Sequence, residues 1–464
     1  MMKQTPALRW TAELLVVLTV FSVVLTVFFN AKAKIDSDEG EWIGTTRYFQ
    51  TLFIEHDLSP DAWADSYWTR TQPMVLRYVI GSWLWFRGHD LHIQNPNYDY
   101  AKTAAQNRRL GLAPADDVLN DARQPARLMA ALAVTVLYGI VRLLAGPVGG
   151  MIGGLVAAGF ATGSPYLQEN LIRAKAESTL MFFLLGALLL AILSVRLGKI
   201  ERPRSAVVWG MATGLLLGLA FGTKLTTVLP LIAVAVWGAS LDARVGAWAA
   251  TLRRRLLPSG QAELAAAGAG EPAAPAASTG SGPAWVWPLA VITTAVFVFV
   301  ITNPFLWPNP VARTWLLFEN RRDEMTQQQR DVPSRAVYTL DRRAALVWER
   351  SVFNDAFAPS RLGWPLEAPL TVVAAVWLAV RAARPGTGQP RVDRLVFLWL
   401  ACLWTGVSLG LGFLLQHYFV PTAMTVTLLS GLAVGWTVQG AWQVVLRVVP
   451  QIRTAPATAT ARAH

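Results

Sequence analysis

Long apolar runs leave this chain one environment. The first covers residues 12–29, and comparable runs follow at 126–144, 179–195, 396–413 and 422–438, with a further run ending at 222. Shorter ones lie at 148–161, 226–237, 286–301 and 369–380. A run of about 18 or more apolar residues matches the hydrocarbon thickness of a bilayer. Backbone inside that layer must satisfy its own hydrogen bonds, so the runs must be helices. The expected fold is an all-α polytopic membrane protein of about ten transmembrane helices. Composition agrees: 53% of the 464 residues are apolar and 15% charged, against about 25% charged in soluble domains. The single cysteine, Cys402, lies in an apolar run and excludes an internal disulfide or thiolate metal site.

Charge placement sets the topology. Lys and Arg concentrate on cytoplasmic loops. Lys3 and Arg9 precede the first run; Arg196, Lys199, Arg202 and Arg204 follow the fourth; Arg381, Arg384, Arg391 and Arg394 follow the eighth; Arg447 and Arg453 lie in the tail. This pattern accounts for the net charge of +12 and puts both termini in the cytoplasm, the protein being multi-pass in the cell's inner or plasma membrane. Arg253, Arg254 and Arg255 have no aromatic interleaving, so no nucleic-acid partner is expected. No small-x-small cleavage site follows Asn30, so the first run reads as an anchor. Residues 1–240 form an N-terminal transmembrane module with an acidic first outer loop. Residues 241–283, rich in Ala, Gly, Pro and Ser, read as a flexible cytoplasmic loop. Residues 284–464 form a C-terminal module with a second outer segment at 303–363. The stretch 74–86 is short, interrupted by Arg77 and rich in Trp and Tyr, which suits a helix lying on or dipping into the outer surface. The alternative, a short span, would invert every later loop.

On this map the unusual polar residues share the outer face. Asp36, Asp38, Glu39 and Glu41 lie just past the first span; their bland reading is a solvated exit from the membrane. Glu177 directly precedes an apolar run, where a carboxylate is costly unless paired or wet. Arg173, four residues earlier, could share its helix face, either as a working pair or as an anchor for the span. Lys224 sits between two apolar spans, either snorkelling or meeting an anion. His417 marks the last outer turn, and Arg321 and Arg322 lie in the second outer segment. No His/Asp spacing identifies a metal site, so no cofactor is assigned, although acids at the mouth could hold a divalent cation together with phosphate.

Several of these segments match motifs in order. Asp38-Glu39 follows the first span, Thr71-Gln72-Pro73-Met74 comes next, and Pro125-Ala126-Arg127-Leu128 enters the second span. Arg173-Ala174-Lys175-Ala176-Glu177 opens the fourth, Gly214 through Gly218 with Lys224 precedes the sixth, and His417-Tyr418-Phe419-Val420-Pro421 forms the last outer turn. In that order the chain resembles GT-C class integral-membrane glycosyltransferases of the protein O-mannosyltransferase and aminoarabinose-transferase group. It departs from them at Gln72, where His is common, at Met74, where a second Pro is, and at Phe419, where an aliphatic residue is usual. The resemblance implies a GT-C-like bundle with interfacial outer-loop helices. It also implies inverting transfer of a hexosyl or pentosyl group from a polyprenyl-phosphate-sugar donor to a hydroxyl of a protein, lipid or cell-envelope glycan. Asp38 would then be the general base, with Glu39 orienting it or the sugar, and Glu177 a further catalytic acid. Arg173, Lys224, His417, Arg321 and Arg322 would contact the donor phosphate. The rival reading is a multi-span transporter or flippase of an amphiphilic or anionic substrate. Two long outer segments and the absence of an obvious repeat argue against it.

Overall fold

The computed structural model describes residues 6–64, 67–92, 98–99, 101–241, 285–353, 365–386 and 388–454. The stretch expected to be a flexible loop, 241–283, lies outside the described residues apart from its first position, as does the end of the second outer segment. The chain is an all-α membrane protein. Its helices are α1 (Pro6–Asn30), α2 (Ser37–Gly44), α3 (Arg47–Phe53), α4 (Pro60–Ala64), α5 (Tyr67–Thr71), α6 (Val75–Phe86), α7 (Ala104–Arg109), α8 (Asp116–Leu144), α9 (Pro147–Gly163), α10 (Pro165–Ile172), α11 (Ala176–Arg196), α12 (Pro203–Phe221) and α13 (Val228–Ala239). After the undescribed stretch come α14 (Val286–Ile301), α15 (Pro310–Asp331), α16 (Leu340–Trp348), α17 (Glu367–Ala382), α18 (Gln389–Gly410) and α19 (Val420–Thr454). Among the described residues there is no strand, and an isolated antiparallel bridge joins Ala336 to Phe413.

Every apolar run expected to span is a helix. Among the described residues six helices are long and apolar enough to cross a membrane. The other four, α9, α13, α14 and α17, have 12 to 17 residues. At about 1.5 Å per residue the shortest of them covers less than the ~30 Å hydrocarbon layer.

Tight packing comes from small residues. α9 lies against α19 so closely that a Cβ on Gly149 would stand 2.0 Å from the Gly435 carbonyl, and one on Gly153 would stand 2.3 Å from that of Gly431. The same device joins α12 to α14 through Gly214 and Gly218. With little hydrophobic drive between helices inside lipid, close backbone approach supplies the van der Waals energy of association.

α6 does not cross. Its first amide, Val75 N, donates to Gly222 O just past the C-terminal end of α12 (2.9 Å). Just past its last turn, Arg87 and His89 reach Asp121 in the opening turns of α8, at 3.2 and 2.8 Å. Both ends therefore sit at one end of the bundle. Buried Arg77 explains how a cation fits its inner face. Its guanidinium donates to Thr45 Oγ1, Gln72 O and Pro73 O, and lies 5.1 Å from the Trp42 ring. Trp85 and Phe86 stay exposed on the other face.

Candidate active site

The site grows from α2. Asp36 caps this helix, its Oδ1 accepting from Asp38 N, while its own amide donates to Glu39 Oε2. Adjacent helical residues point about 100° apart, so Asp38 and Glu39 part company. Glu39 turns inward and is fully buried. Its oxygens accept from Arg123 Nε (2.7 Å), Arg123 Nη2 (2.6 Å), Ala174 N (2.8 Å) and Asp36 N (3.0 Å). Arg123 also donates to Ala33 O and Lys34 O, clamping the link between α1 and α2. Glu39 thus anchors the helix that carries Asp38, and its oxygens face protein donors on all sides.

Asp38 turns outward to the mouth, where α10 and α11 meet it. Arg173 and Lys175 both have extended backbone, which breaks the helix between Ile172 and Ala176. The expected helical pairing of Arg173 with Glu177 therefore does not form. Arg173 instead binds Glu169 (2.6 Å) and Asp36 (3.2 Å). Lys175 is driven into the mouth, where its Nζ lies 3.0 Å from Asp38 Oδ2, 3.3 Å from Asp36 Oδ1 and 3.1 Å from His417 Nδ1. Burial opposes the charge of Lys175, but Asp38, Glu177 and Asp36 outweigh it and hold its pKa above the ordinary value. For Asp36 burial acts upward, and Lys175, Arg173 and the Asp38 amide overcome it, leaving a lowered pKa. An ammonium only donates, so Nδ1 of His417 is the acceptor and the ring is neutral with its proton on Nε2. In this arrangement His417 is an acceptor for Lys175.

A second tier lies behind this one. Glu177 Oε1 accepts from Lys224 Nζ (3.1 Å), while Oε2 is buried without a partner. Lys224 stands 5.0 Å from the centre of the Tyr418 ring. Burial lowers its pKa, and Glu177 resists the shift. Arg321, on α15, donates to Tyr418 Oη (2.7 Å) and pairs with Glu324, which also accepts from Tyr67 Oη. Arg322 points away: its exposed guanidinium meets Glu319 and Asp323 on its own helix, and the structure does not bring it to the site.

A cleft of about 390 Å³ opens beside the first tier, lined by Asp36, Asp38, Arg173, Lys175 and His417 and also by Arg335 and Arg350. The pairing of Val337 N with Gly412 O and of Leu414 N with Arg335 O brings Arg335 to this rim. Sequence reading missed Lys175, Arg335 and Arg350. Lys175 lay inside a motif whose termini drew attention, and a strand-like clip across 75 residues leaves no local signal. Glu41 completes the mouth. Burial, then Asp38 and Glu324, push its carboxyl up to about 7.

No family model matches the chain, and no curated protein does. Among solved structures it is similar to ArnT from Cupriavidus metallidurans bound to undecaprenyl phosphate, with 17% identity and a TM-score of 0.47, covering 97% of this chain and 66% of that one. It is also similar to the archaeal oligosaccharyltransferase AglB from Archaeoglobus fulgidus, in complex with an inhibitory peptide and a dolichol-phosphate, with 12% identity, a TM-score of 0.47, and coverage of 97% and 52%. The chain thus spans under two thirds of the length of the first and about half of the second. Both are GT-C glycosyltransferases, the class its motifs resemble.

Proposed function

We propose that this protein transfers a sugar from a polyprenyl-phosphate-linked donor to an acceptor hydroxyl at the outer face of the membrane, inverting the anomeric centre. One observation carries the reading. Asp38, Lys175 and His417 form a contacting acid–base cluster at the mouth of a membrane bundle, with the Glu177–Lys224 pair and Arg321 close behind it. A lipid-linked donor needs that placement, because its phosphate must stay at the interface while its tail stays in hydrocarbon.

The acceptor oxygen attacks the anomeric carbon as the bond from that carbon to the phosphate oxygen breaks. Asp38 takes the hydroxyl proton, which is general-base catalysis. Its carboxylate also lies where positive charge builds on the sugar. The phosphate gains charge as it leaves, and Lys224, Arg321 and Arg173 supply charge-assisted donors. Attack and departure on opposite faces give inversion. Glu39 holds α2 and so positions Asp38. Glu177 fixes the Lys224 ammonium. A divalent cation does not fit this donor set: Asp36 and Asp38 already face Lys175 and Arg173, and among the described residues no three His, Cys, Asp or Glu stand together as ligands. The acceptor is a protein, a lipid or an envelope glycan, and mass spectrometry of the envelope of a deletion strain would identify it.

The test is transfer of radiolabelled sugar from a polyprenyl-phosphate donor by detergent-solubilised protein. Asp38→Asn should leave a monodisperse protein and lower turnover at saturating donor by roughly two to four orders of magnitude, the usual worth of a positioned base. Near wild-type turnover in that variant removes Asp38 as base. Movement of lipid-linked sugar across vesicles without transfer would favour the transporter reading.

A further inference from the structure

The mouth holds one carboxyl that the proposed reaction does not use. Glu41 is three residues from Asp38 on α2, so the two share a helix face. The other acids there are engaged. Asp36 meets Arg173 and Lys175, Asp38 meets Lys175, Glu39 meets Arg123, and Glu324 meets Arg321 and Tyr67. Glu177 is engaged by Lys224 through one oxygen, and its other oxygen is sealed from solvent. Glu41 is half-buried, and its carboxyl makes no hydrogen bond or ion pair with any described residue. The charged and titratable groups facing it are Asp38 and Asp36 from its own helix or its cap, Glu324 from α15, Tyr67 from α5 and Lys175 from the α10–α11 link.

We infer that Glu41 is a proton-relay residue acting through Asp38, passing on to solvent the proton that Asp38 takes from the acceptor hydroxyl. This rests on the function proposed above. The balance is simple. Asp38 gains the proton as the new glycosidic bond forms and the phosphate leaves with the bonding electrons. Asp38 then loses the proton through water at the mouth to a Glu41 oxygen, and Glu41 loses it to bulk solvent. Two features make Glu41 the receiver: it lies on the Asp38 face of α2 at the mouth, and its half-buried carboxyl is bonded to no described residue. Burial and three neighbouring carboxylates hold the Glu41 carboxyl near 7, and a group that titrates near the working pH both accepts and releases a proton readily. No protein donor needs to be displaced for either step.

The experiment is the pH profile of transfer at saturating donor for wild type, Glu41→Gln, Glu41→Asp and Asp38→Asn, with an infrared titration of carboxyl bands in the same proteins. In wild type, transfer should fall about tenfold per pH unit below about 7. Glu41→Gln should move that limb down by a unit or more and lower the plateau several-fold, while Glu41→Asp should keep a limb near neutrality. The infrared band of a carboxyl titrating near 7 should vanish in Glu41→Gln. An unmoved limb in Glu41→Gln overturns the relay. So does a loss as deep as that of Asp38→Asn at every pH, which would make Glu41 the base itself. The infrared titration does not depend on turnover. An unchanged band in Glu41→Gln sinks the assignment of Glu41, whereas a wild-type protein that transfers no sugar sinks the glycosyltransferase reading.

Discussion

At the scale of single residues, the acidic run shows how much one helical step decides. Asp38 and Glu39 are neighbours in sequence, yet one faces the mouth and the other a sealed ion pair with Arg123. Glu39→Gln should therefore damage assembly before it damages chemistry. Removing one partner of a buried, hydrogen-bonded pair leaves the other charge uncompensated and costs about 3–5 kcal/mol. The yield of monodisperse protein should fall sharply in Glu39→Gln and in Arg123→Gln. The double variant should lose less than the sum of the two, because the pair is one unit. Thermal-shift measurements of all three in detergent would show it; a stable but inactive Glu39→Gln would instead return Glu39 to the substrate. The sequence showed the acids gathered just past the first apolar run. It could not show which acid turns inward, because that depends on Arg123 arriving 84 positions later.

At the scale of elements, the helices were legible because lipid permits nothing else, and their polar ends were legible from charge. Less legible were the breaks. The extended residues between α10 and α11 carry no Pro or Gly, and they place Lys175 in the site where a continuous helix would have paired Arg173 with Glu177. The glycines of α9 read as ordinary membrane-helix composition until α19 is seen lying on them. Gly153→Leu should force the two helices apart, since even a Cβ there would meet Gly431 O at 2.3 Å and must displace backbone. Gly159→Leu, where a Cβ meets nothing within 4 Å, is the control. Gly153→Leu should lower Tm and monodisperse yield while Gly159→Leu leaves both near wild type. Equal behaviour of the two would mean that the α9–α19 contact is not tight in the membrane.

At the scale of the whole molecule, two polar layers mark the ends of the bundle. One holds Asp36, Asp38, Lys175, Lys224 and His417. The other holds the Glu13–Arg142 pair, the Arg381–Asp393 pair and Arg196 bonded to Gln389. The second layer carries the basic loops, so it should be cytoplasmic. Cysteines at Pro114 and Gly260, placed in a Cys402→Ser background, test this with a membrane-impermeant maleimide. Position 114 should label from outside, and position 260 only after permeabilisation. The pair of sites separates two kinds of error. Between them run α8, α9, α11, α12 and α13, an odd number of crossings, so they must lie on opposite sides. Labelling of both from one side means that one of these helices, most simply the twelve-residue α13, fails to cross. Opposite sides with 114 inside would keep all five crossings but reverse them. That result would mean either that α6 spans despite having both ends tied to the outer layer, or that α1 enters from the other side. In either case Asp38, Lys175 and His417 would face the cytoplasm, and an acceptor on the cell exterior would be out of their reach.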